Sequence, residues 1–287
     1  MNRVLNHPLF ILLVVLCSFV EYFLSRRGKF NNFNSYEVTS NLVIISIDRI
    51  LSALTGADGG ALAHWIWSHR ILDWNLDGFA KWSLIFLLAE FVYYWIHFYN
   101  HKVNIGWATH IVHHSPTKYN LTVGYRLGIT RFFSLGWIVG LPVMLLGIHP
   151  QDLALVLGLI FFYNFFIHTE LIGSLGWLDL VLNTPSNHRV HHANDPSLYN
   201  KNLGGATVLF DHLFGTFAKE EVRIKDYGIP ELMKPQKFYL EIFGYWIQIF
   251  QQFGAVKGLQ KKFRVLFGAP QELHVVAEGE LKKYGIH

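Results

Sequence analysis

The run His97-Phe98-Tyr99-Asn100-His101 is followed, after eight residues, by His110-Ile111-Val112-His113-His114, and His188-Arg189-Val190-His191-His192 repeats that second spacing far downstream. The three clusters hold eight of the sixteen histidines. On a helix, positions i and i+4, or i, i+3 and i+4, lie on one face with Cβ atoms about 5–6 Å apart. HxxxH and HxxHH therefore aim two or three imidazoles at one point. Imidazoles gathered this closely repel one another when charged, so they stay neutral, and neutral imidazole is the form that binds metals. The fold must bring three such helical stretches together.

The sequence around the clusters shows how. Residues 82–98 (WSLIFLLAEFVYYWIHF) read as a membrane helix interrupted only by Glu90 and His97, and its C-terminal end delivers the first cluster. Residues 102–131 are polar and basic. Residues 132–148 (FFSLGWIVGLPVMLLGI) and 151–167 (QDLALVLGLIFFYNFFI) are apolar runs joined only by His149-Pro150, which predicts a tight helical hairpin with Pro150 opening its second arm. Each arm of about 17 residues, at ~1.5 Å per residue, is near the lower limit for a ~30 Å hydrocarbon core. A hairpin that crosses and returns leaves residues 131 and 168 on the side of His97 and His101, and puts His149, which shapes the turn, on the other. Lys102, Arg126, Arg131, Arg189 and Lys201 mark the histidine face as cytoplasmic.

Toward the N-terminus, residues 9–24 (LFILLVVLCSFVEYFL) end at Arg26-Arg27-Gly28-Lys29. The basic cluster follows the apolar run and no small-residue cleavage site is evident, so a retained anchor is expected rather than a signal peptide. Residues 30–37 read as a loop. Residues 42–54 carry Asp48 and Arg49 and read as a weak spanning or interfacial helix, and residues 61–78 as interfacial. Downstream, 171–182 reads as interfacial and 204–217 as compact and glycine-framed. Residues 238–253 place Tyr239, Ile242, Phe243, Trp246, Ile249, Phe250 and Phe253 at helical spacing, a face for the protein or for the membrane; the tail from Lys257 reads as charged and soluble.

Composition agrees with a membrane protein. Charged residues are 15% of the 287, hydrophobic ones 52% and aromatic ones 16%, against about 25% charged in soluble domains. The net charge of +4 sits beside apolar runs instead of forming a basic stripe, which points to an anionic leaflet and not to nucleic acid. The single cysteine, Cys17, excludes an internal disulfide and leaves no thiolate cluster for zinc or iron–sulfur. Eight imidazoles exceed the three or four ligands of one zinc ion, so two ions are the simpler arithmetic, and nitrogen-rich sites without sulfur suit iron, copper or zinc.

The order HxxxH, HxxHH, HxxHH between apolar hairpins resembles the fatty acid hydroxylase (sterol desaturase) superfamily of membrane non-haem di-iron enzymes. The likeness covers roughly residues 85–220. It is most specific in Asn183-Thr184-Pro185-Ser186-Asn187 leading into the third cluster, in Lys201-Asn202-Leu203-Gly204-Gly205, and in Asp211-His212-Leu213-Phe214-Gly215-Thr216-Phe217. It looks most like the alkylglycerol monooxygenase branch and its bacterial relatives, in which Phe166-Ile167-His168-Thr169-Glu170 has a counterpart whose histidine is a further ligand. Asn187, Leu203 and His212 depart from the usual pattern; they leave the metal cage whole and bear on the substrate.

The resemblance implies two irons held by His97, His101, His110, His113, His114, His168, His188, His191 and His192. With O2 as co-substrate they would hydroxylate a C–H bond of a lipid drawn from the bilayer, with desaturation on the same scaffold as the alternative. Electrons would come from a reduced pterin or a redox partner protein. Carboxylates usually hold ligand imidazoles by their free N–H, and Glu170, Asp195 and Asp211 are the candidates. Glu90 faces a substrate cavity or pairs with Arg49. His7, His64, His69, His274 and His287 are ordinary interface or surface residues. The rival readings are a zinc-dependent hydrolase of lipid head groups, which would want fewer ligands and an open position, and a metal carrier, which would want ionisable groups in mid-membrane.

The expected protein is thus all-α: a multi-pass integral membrane helical bundle with a cytoplasmic histidine-rich metal-binding cap. Residues 1–81 form the anchor and interfacial segments, 82–220 the di-iron catalytic domain, and 221–287 a C-terminal interfacial helix and soluble tail.

Overall fold

Twenty mostly apolar and aromatic residues without a glycine or an internal proline form the first helix, α1 (Pro8–Arg27), and its apolar side chains are largely exposed. The structure is a computed structural model that describes residues 8–28, 30–55, 60–126, 128–230 and 232–270; His7, His274 and His287 lie outside them. The described residues are helical with no strand, only two isolated bridges, Leu182–Thr207 and Ala193–Tyr227. After α1 come α2 (Ser35–Thr55), α3 (Gly60–Ser68) and α4 (Gly78–Lys102). Two helices, α1 and α4, are long and apolar enough to cross a membrane by length and composition.

The segment 42–54 lies in α2, where Asp48 is buried and paired with both Arg49 and Arg131. The polar pair that argued against a simple span therefore faces protein. Glu90 is held by a loop and not by Arg49. Its carboxylate accepts from the backbone N–H of Ala206 (2.8 Å) and of Thr207 (3.0 Å) and from the Thr207 hydroxyl (2.8 Å).

Val103, in extended backbone, breaks the chain between α4 and α5 (Asn104–His114). The two helices meet tightly because residue 106 is glycine: a Cβ there would stand 2.8 Å from both Asn100 Cα and the Tyr99 carbonyl oxygen. The first hairpin arm is not one continuous helix. It is a series of turns, a 3-10 segment (Gly136–Gly140) and one short turn of helix, α6 (Leu141–Leu145). Gly136, Gly140 and Pro142 weaken helix propagation, and Leu135 adopts a left-handed conformation at φ 61°.

The path of that arm still returns along α4. Tyr99 Oη donates to Ser134 O (2.8 Å) at one end, and Trp74 Nε1 to Leu146 O (2.6 Å) at the other. The second arm is regular, α7 (Pro150–Phe166), with Pro150 in its first turn and His149 Nδ1 accepting from Gln151 N (3.3 Å). An ion pair between Lys81 and Asp152 (2.7 Å) joins the starts of α4 and α7, and a core of Ile85, Ala89, Val92, Leu153, Val156 and Ile160 zips them together. The two helices therefore run side by side in the same direction, Tyr93 against Phe161, and α7 ends beside the last turns of α4.

The remaining helices are α8 (Pro185–His192), α9 (Leu209–Phe214), α10 (Phe238–Ala255) and α11 (Leu259–Phe267). The apolar stripe of α10 divides: Ile242, Trp246 and Ile249 are buried against α5, while Tyr239, Phe243 and Phe250 are exposed. The segment after Lys257 is not simply a soluble tail. Val265 of α11 is buried, and Asn104 Nδ2 donates to its carbonyl at 3.1 Å.

Two of the five cations read as face markers are interior. Arg126 is fully buried and pairs with Glu241 (2.9 Å), and Arg189 is fully buried and pairs with Glu220 (2.6 Å). Their positions reflect packing and not the positive-inside tendency.

Candidate metal centre

Four chain segments converge at the common end of α4 and α7. The last turns of α4 bring His97 and His101, α5 brings His110, His113 and His114, His168 follows the end of α7, and α8 brings His188, His191 and His192. Thr184 caps α8 by accepting from Asn187 N (3.4 Å), and Pro185 sits in its first turn, so the helix starts where its histidines point inward. The nine imidazoles fall into two groups, His97, His101, His110, His114 and His191 in one, His113, His168, His188 and His192 in the other, and within each the ligand atoms all lie within 4.8 Å of one another.

The repeated HxxHH motif is used in opposite senses. In α5 the i and i+4 histidines, His110 and His114, enter the five-imidazole group and His113 the other. In α8 the i and i+4 histidines, His188 and His192, enter the four-imidazole group and His191 the other. Each helix thus straddles both centres, and His114 stacks on His192 across the divide with centroids 4.3 Å apart.

The geometry suits metal ions. Nε2 atoms approach at 3.0 Å for His97–His110, 3.2 Å for His110–His114, 3.2 Å for His113–His168 and 2.9 Å for His168–His188. Ligand nitrogens at ~2.0–2.1 Å from one ion stand about 2.9–3.4 Å apart when adjacent. The Nε2 atoms of His101, His191 and His192 are buried without a hydrogen-bond partner, which is costly unless something else occupies them. Burial, followed by repulsion from neighbouring imidazoles, lowers the pKa of His110, His113, His114, His188 and His192. Burial holds His191 down at about 4 and His168 at about 3. At neutral pH these groups are neutral donors.

The outer nitrogens are not held by carboxylates. Among the described residues, no carboxylate hydrogen-bonds any of the nine rings. Backbone carbonyls do so instead: Leu203 O for His97 Nδ1 (2.9 Å), Lys201 O for His191 Nδ1 (2.9 Å) and Asn164 O for His168 Nδ1 (2.6 Å). Each contact puts the proton on Nδ1 and leaves Nε2 free as the ligand atom.

The three acidic candidates therefore do other things. Asp195 is exposed and accepts from Ser197 N (2.9 Å) and its hydroxyl (2.8 Å), so it caps a turn. Glu170 accepts from Tyr227 Oη at 3.3 Å, and burial raises its pKa. Asp211 is buried and accepts from Leu203 N (2.7 Å), Gly204 N (2.8 Å) and the Thr216 hydroxyl (2.6 Å). His212 turns outward to the Leu180 carbonyl (3.0 Å).

Tyr119 was not singled out by the sequence. It is buried with its ring centroid 5.3 Å from His192 and 5.8 Å from His168, and it stacks on Tyr227 at 4.8 Å. Its Oη donates to Ile167 O at 3.3 Å, and burial holds the phenol well above its ordinary pKa.

Fold and site together define a helical protein whose packed helix ends form a two-centre histidine cage fit for metal ions. Comparison with known proteins agrees. Residues 82–216, just under half of the chain, match the fatty acid hydroxylase family model. It is 39% identical over 207 residues to the alkylglycerol monooxygenase of Danio rerio, which covers 72% of this chain and 46% of the relative. With the human alkylglycerol monooxygenase it shares 37% over 207 residues, again 72% of this chain and 46% of the relative. With the ornithine lipid hydroxylase OlsE of Rhizobium tropici it shares 32% over 133 residues, 46% of this chain and 40% of the relative. The chain thus spans about half the length of the curated relatives it matches. No solved structure matches it.

Proposed function

We propose that the protein is a membrane-bound di-iron monooxygenase that uses O2 to hydroxylate a C–H bond of a polar-headed lipid. The observation that carries this is the division of nine imidazoles, seven of them buried and two half-buried, without a thiolate or a carboxylate, into groups of five and four. A zinc hydrolase of lipid head groups needs three ligands and an open position at a single ion. Iron held by these imidazoles would supply O2 activation. The chain's own part is to hold nine Nε2 donors neutral, fix the tautomers of His97, His168 and His191 through backbone carbonyls, and exclude bulk water by burying the rings.

The substrate class rests on the family and the relatives' names, which pair oxygenation with an alkylglycerol in one case and an ornithine lipid in another. Helices α4 and α7 end at the cage, so a lipid lying along them would present a carbon near its head group. In this reading α1, α4 and the hairpin lie in a bilayer, the cage faces the cytoplasm, and a reduced pterin or a redox partner delivers electrons. Desaturation of the lipid on the same scaffold is the second reading, since the ligand set does not separate the two outcomes. The test is oxygen uptake by iron-loaded protein in lipid nanodiscs, with an ether lipid and an ornithine lipid supplied in turn and reduced pterin as donor. Lipid-dependent uptake, with label from 18-oxygen gas in a hydroxylated lipid or the aldehyde released from it, is expected. Undiminished lipid turnover under strict anaerobiosis, with zinc replacing iron, would refute the proposal.

A further inference from the structure

The loop from Asn200 to Thr207 touches the five-imidazole centre twice, and both contacts are backbone carbonyls. Lys201 O receives the Nδ1 proton of His191, and Leu203 O that of His97, each at 2.9 Å. The Lys201 and Leu203 carbonyls reach the centre from a backbone that is sharply bent. Asn200 and Asn202 supply the bend with φ values of 62° and 52°, in the left-handed region that Asn tolerates better than most residues. Asn202 is pinned there: its Nδ2 donates to Asn187 O (2.9 Å) and Ala218 O (2.7 Å), and its Oδ1 accepts from Ala218 N (2.9 Å).

Two buried carboxylates grip the same loop. Asp211 takes the N–H groups of Leu203 and Gly204, and Glu90 those of Ala206 and Thr207. The two glycines make that grip possible. A Cβ on Gly204 would stand 2.1 Å from Thr207 O and 2.7 Å from Asp211 Oδ2, and one on Gly205 2.9 Å from Glu90 Oε1. Neither carboxylate touches an imidazole. Both are fully buried, and burying a carboxylate is costly unless the hydrogen bonds it accepts offset the loss of water. Their hydrogen bonds all go to the loop or to the hydroxyls beside it, at Thr216 and Thr207.

We propose that Asp211 and Glu90 are positioning residues for one metal ion only, acting through the Lys201 and Leu203 carbonyls on His191 and His97 of the five-imidazole centre. The four-imidazole centre has its own carbonyl contact, from Asn164 to His168, outside this loop. The inference rests on the two-ion reading of the cage. It predicts an asymmetry that a general contribution to folding would not produce.

Cobalt(II) is the probe, titrated into metal-free, full-length protein and followed by the visible d–d spectrum and by bound metal after desalting. Wild-type protein should bind two ions; binding of one would sink the two-ion reading itself. In Asp211→Asn the amide Nδ2 faces the Gly204 N–H, donor to donor, so the loop must shift. One binding phase should then weaken by about 10- to 100-fold, the usual range for loss of a group behind a ligand, while the other keeps its affinity and spectrum. Glu90→Gln sets the same donor-to-donor clash at Ala206 or Thr207, farther along the loop from the Lys201 and Leu203 carbonyls, and should weaken the same phase less. Thr216→Val, which removes one hydrogen bond to Asp211, gives a milder version of the same shift should D211N not accumulate. If wild type binds two ions and the variants weaken both phases equally, or neither, the positioning role is wrong.

Discussion

The Arg126–Glu241 pair lends itself to a quantitative test, because both side chains are fully buried and join three helices. Arg126 donates from Nε to Val112 O (2.8 Å), from Nη1 to Ser40 Oγ and Asn41 Oδ1 (both 2.9 Å), and from Nη2 to Ser115 Oγ (3.0 Å) and Glu241 Oε2 (2.9 Å). Glu241 also accepts from Ser40 Oγ (2.5 Å) and from the Tyr36 hydroxyl. Glu241→Ala strands the guanidinium without its counter-charge. Breaking a buried pair in this way costs about 3–5 kcal/mol, a large share of a total stability of roughly 5–15 kcal/mol. At about 2 °C per kcal/mol for a chain of this size, the midpoint should fall by roughly 6–10 °C.

The assay is thermal unfolding of detergent-purified protein, with Arg126→Met and the double variant Arg126→Met/Glu241→Met measured alongside. The double variant should recover at least half of the single-variant loss, since removing both charges removes the stranded one. The loss should also be insensitive to added salt, because buried pairs are poorly screened. A drop under 2 °C for E241A, or a double variant no better than the singles, would refute the argument. Metal content should fall with stability, because Arg126 holds the Val112 carbonyl of the helix that carries His110, His113 and His114.

The membrane path is checked with single cysteines at Lys118 and Gln151 in a Cys17→Ser background, which should be labelled from opposite sides; labelling from one side would remove the spanning hairpin. The metal-free cage should be acid-sensitive. The folded-state pKa values of His168 and His191, about 3 and about 4, lie below the ordinary imidazole value, so the unfolded chain takes up protons that the folded chain refuses. Their neutral burial costs nothing above pH ~6.5, and stability falls as pH drops from there toward 4, by about 1.4 kcal/mol per pH unit for each imidazole. A melting midpoint of the metal-free protein that stays flat between pH 7 and 5 would contradict this.

Helical spacing made the cage legible. Because i, i+3 and i+4 share a face, three motifs identified eight of the nine rings that converge, and the family resemblance added His168. The division into five and four was not legible, since it depends on how α5 and α8 are rotated about their axes. The groups behind the ligands were misjudged for a physical reason. Carboxylates are visible in a sequence, whereas the Lys201, Leu203 and Asn164 carbonyls belong to groups that every residue carries. The Asn200-Lys201-Asn202 run, with two residues tolerant of positive φ, was the available signal. Hydropathy hid the break in the first hairpin arm, although Gly136, Gly140 and Pro142 spelled it out. Arg126 looked like a surface cation because its partner, Glu241, lies 115 residues away in the chain.

If the nine imidazoles hold two ions in two distinct groups, iron content per chain after anaerobic reconstitution will read this out. Wild-type protein should hold about two irons, in keeping with the ligand capacity of such ions. His191→Ala, in the five-imidazole group, and His192→Ala, in the four-imidazole group, should each lower the iron content, with losses in different spectroscopic components. His149→Ala, at the far end of α7, should keep both irons. One iron per wild-type chain, or loss of the same component from both His191→Ala and His192→Ala, would contradict the two-centre cage.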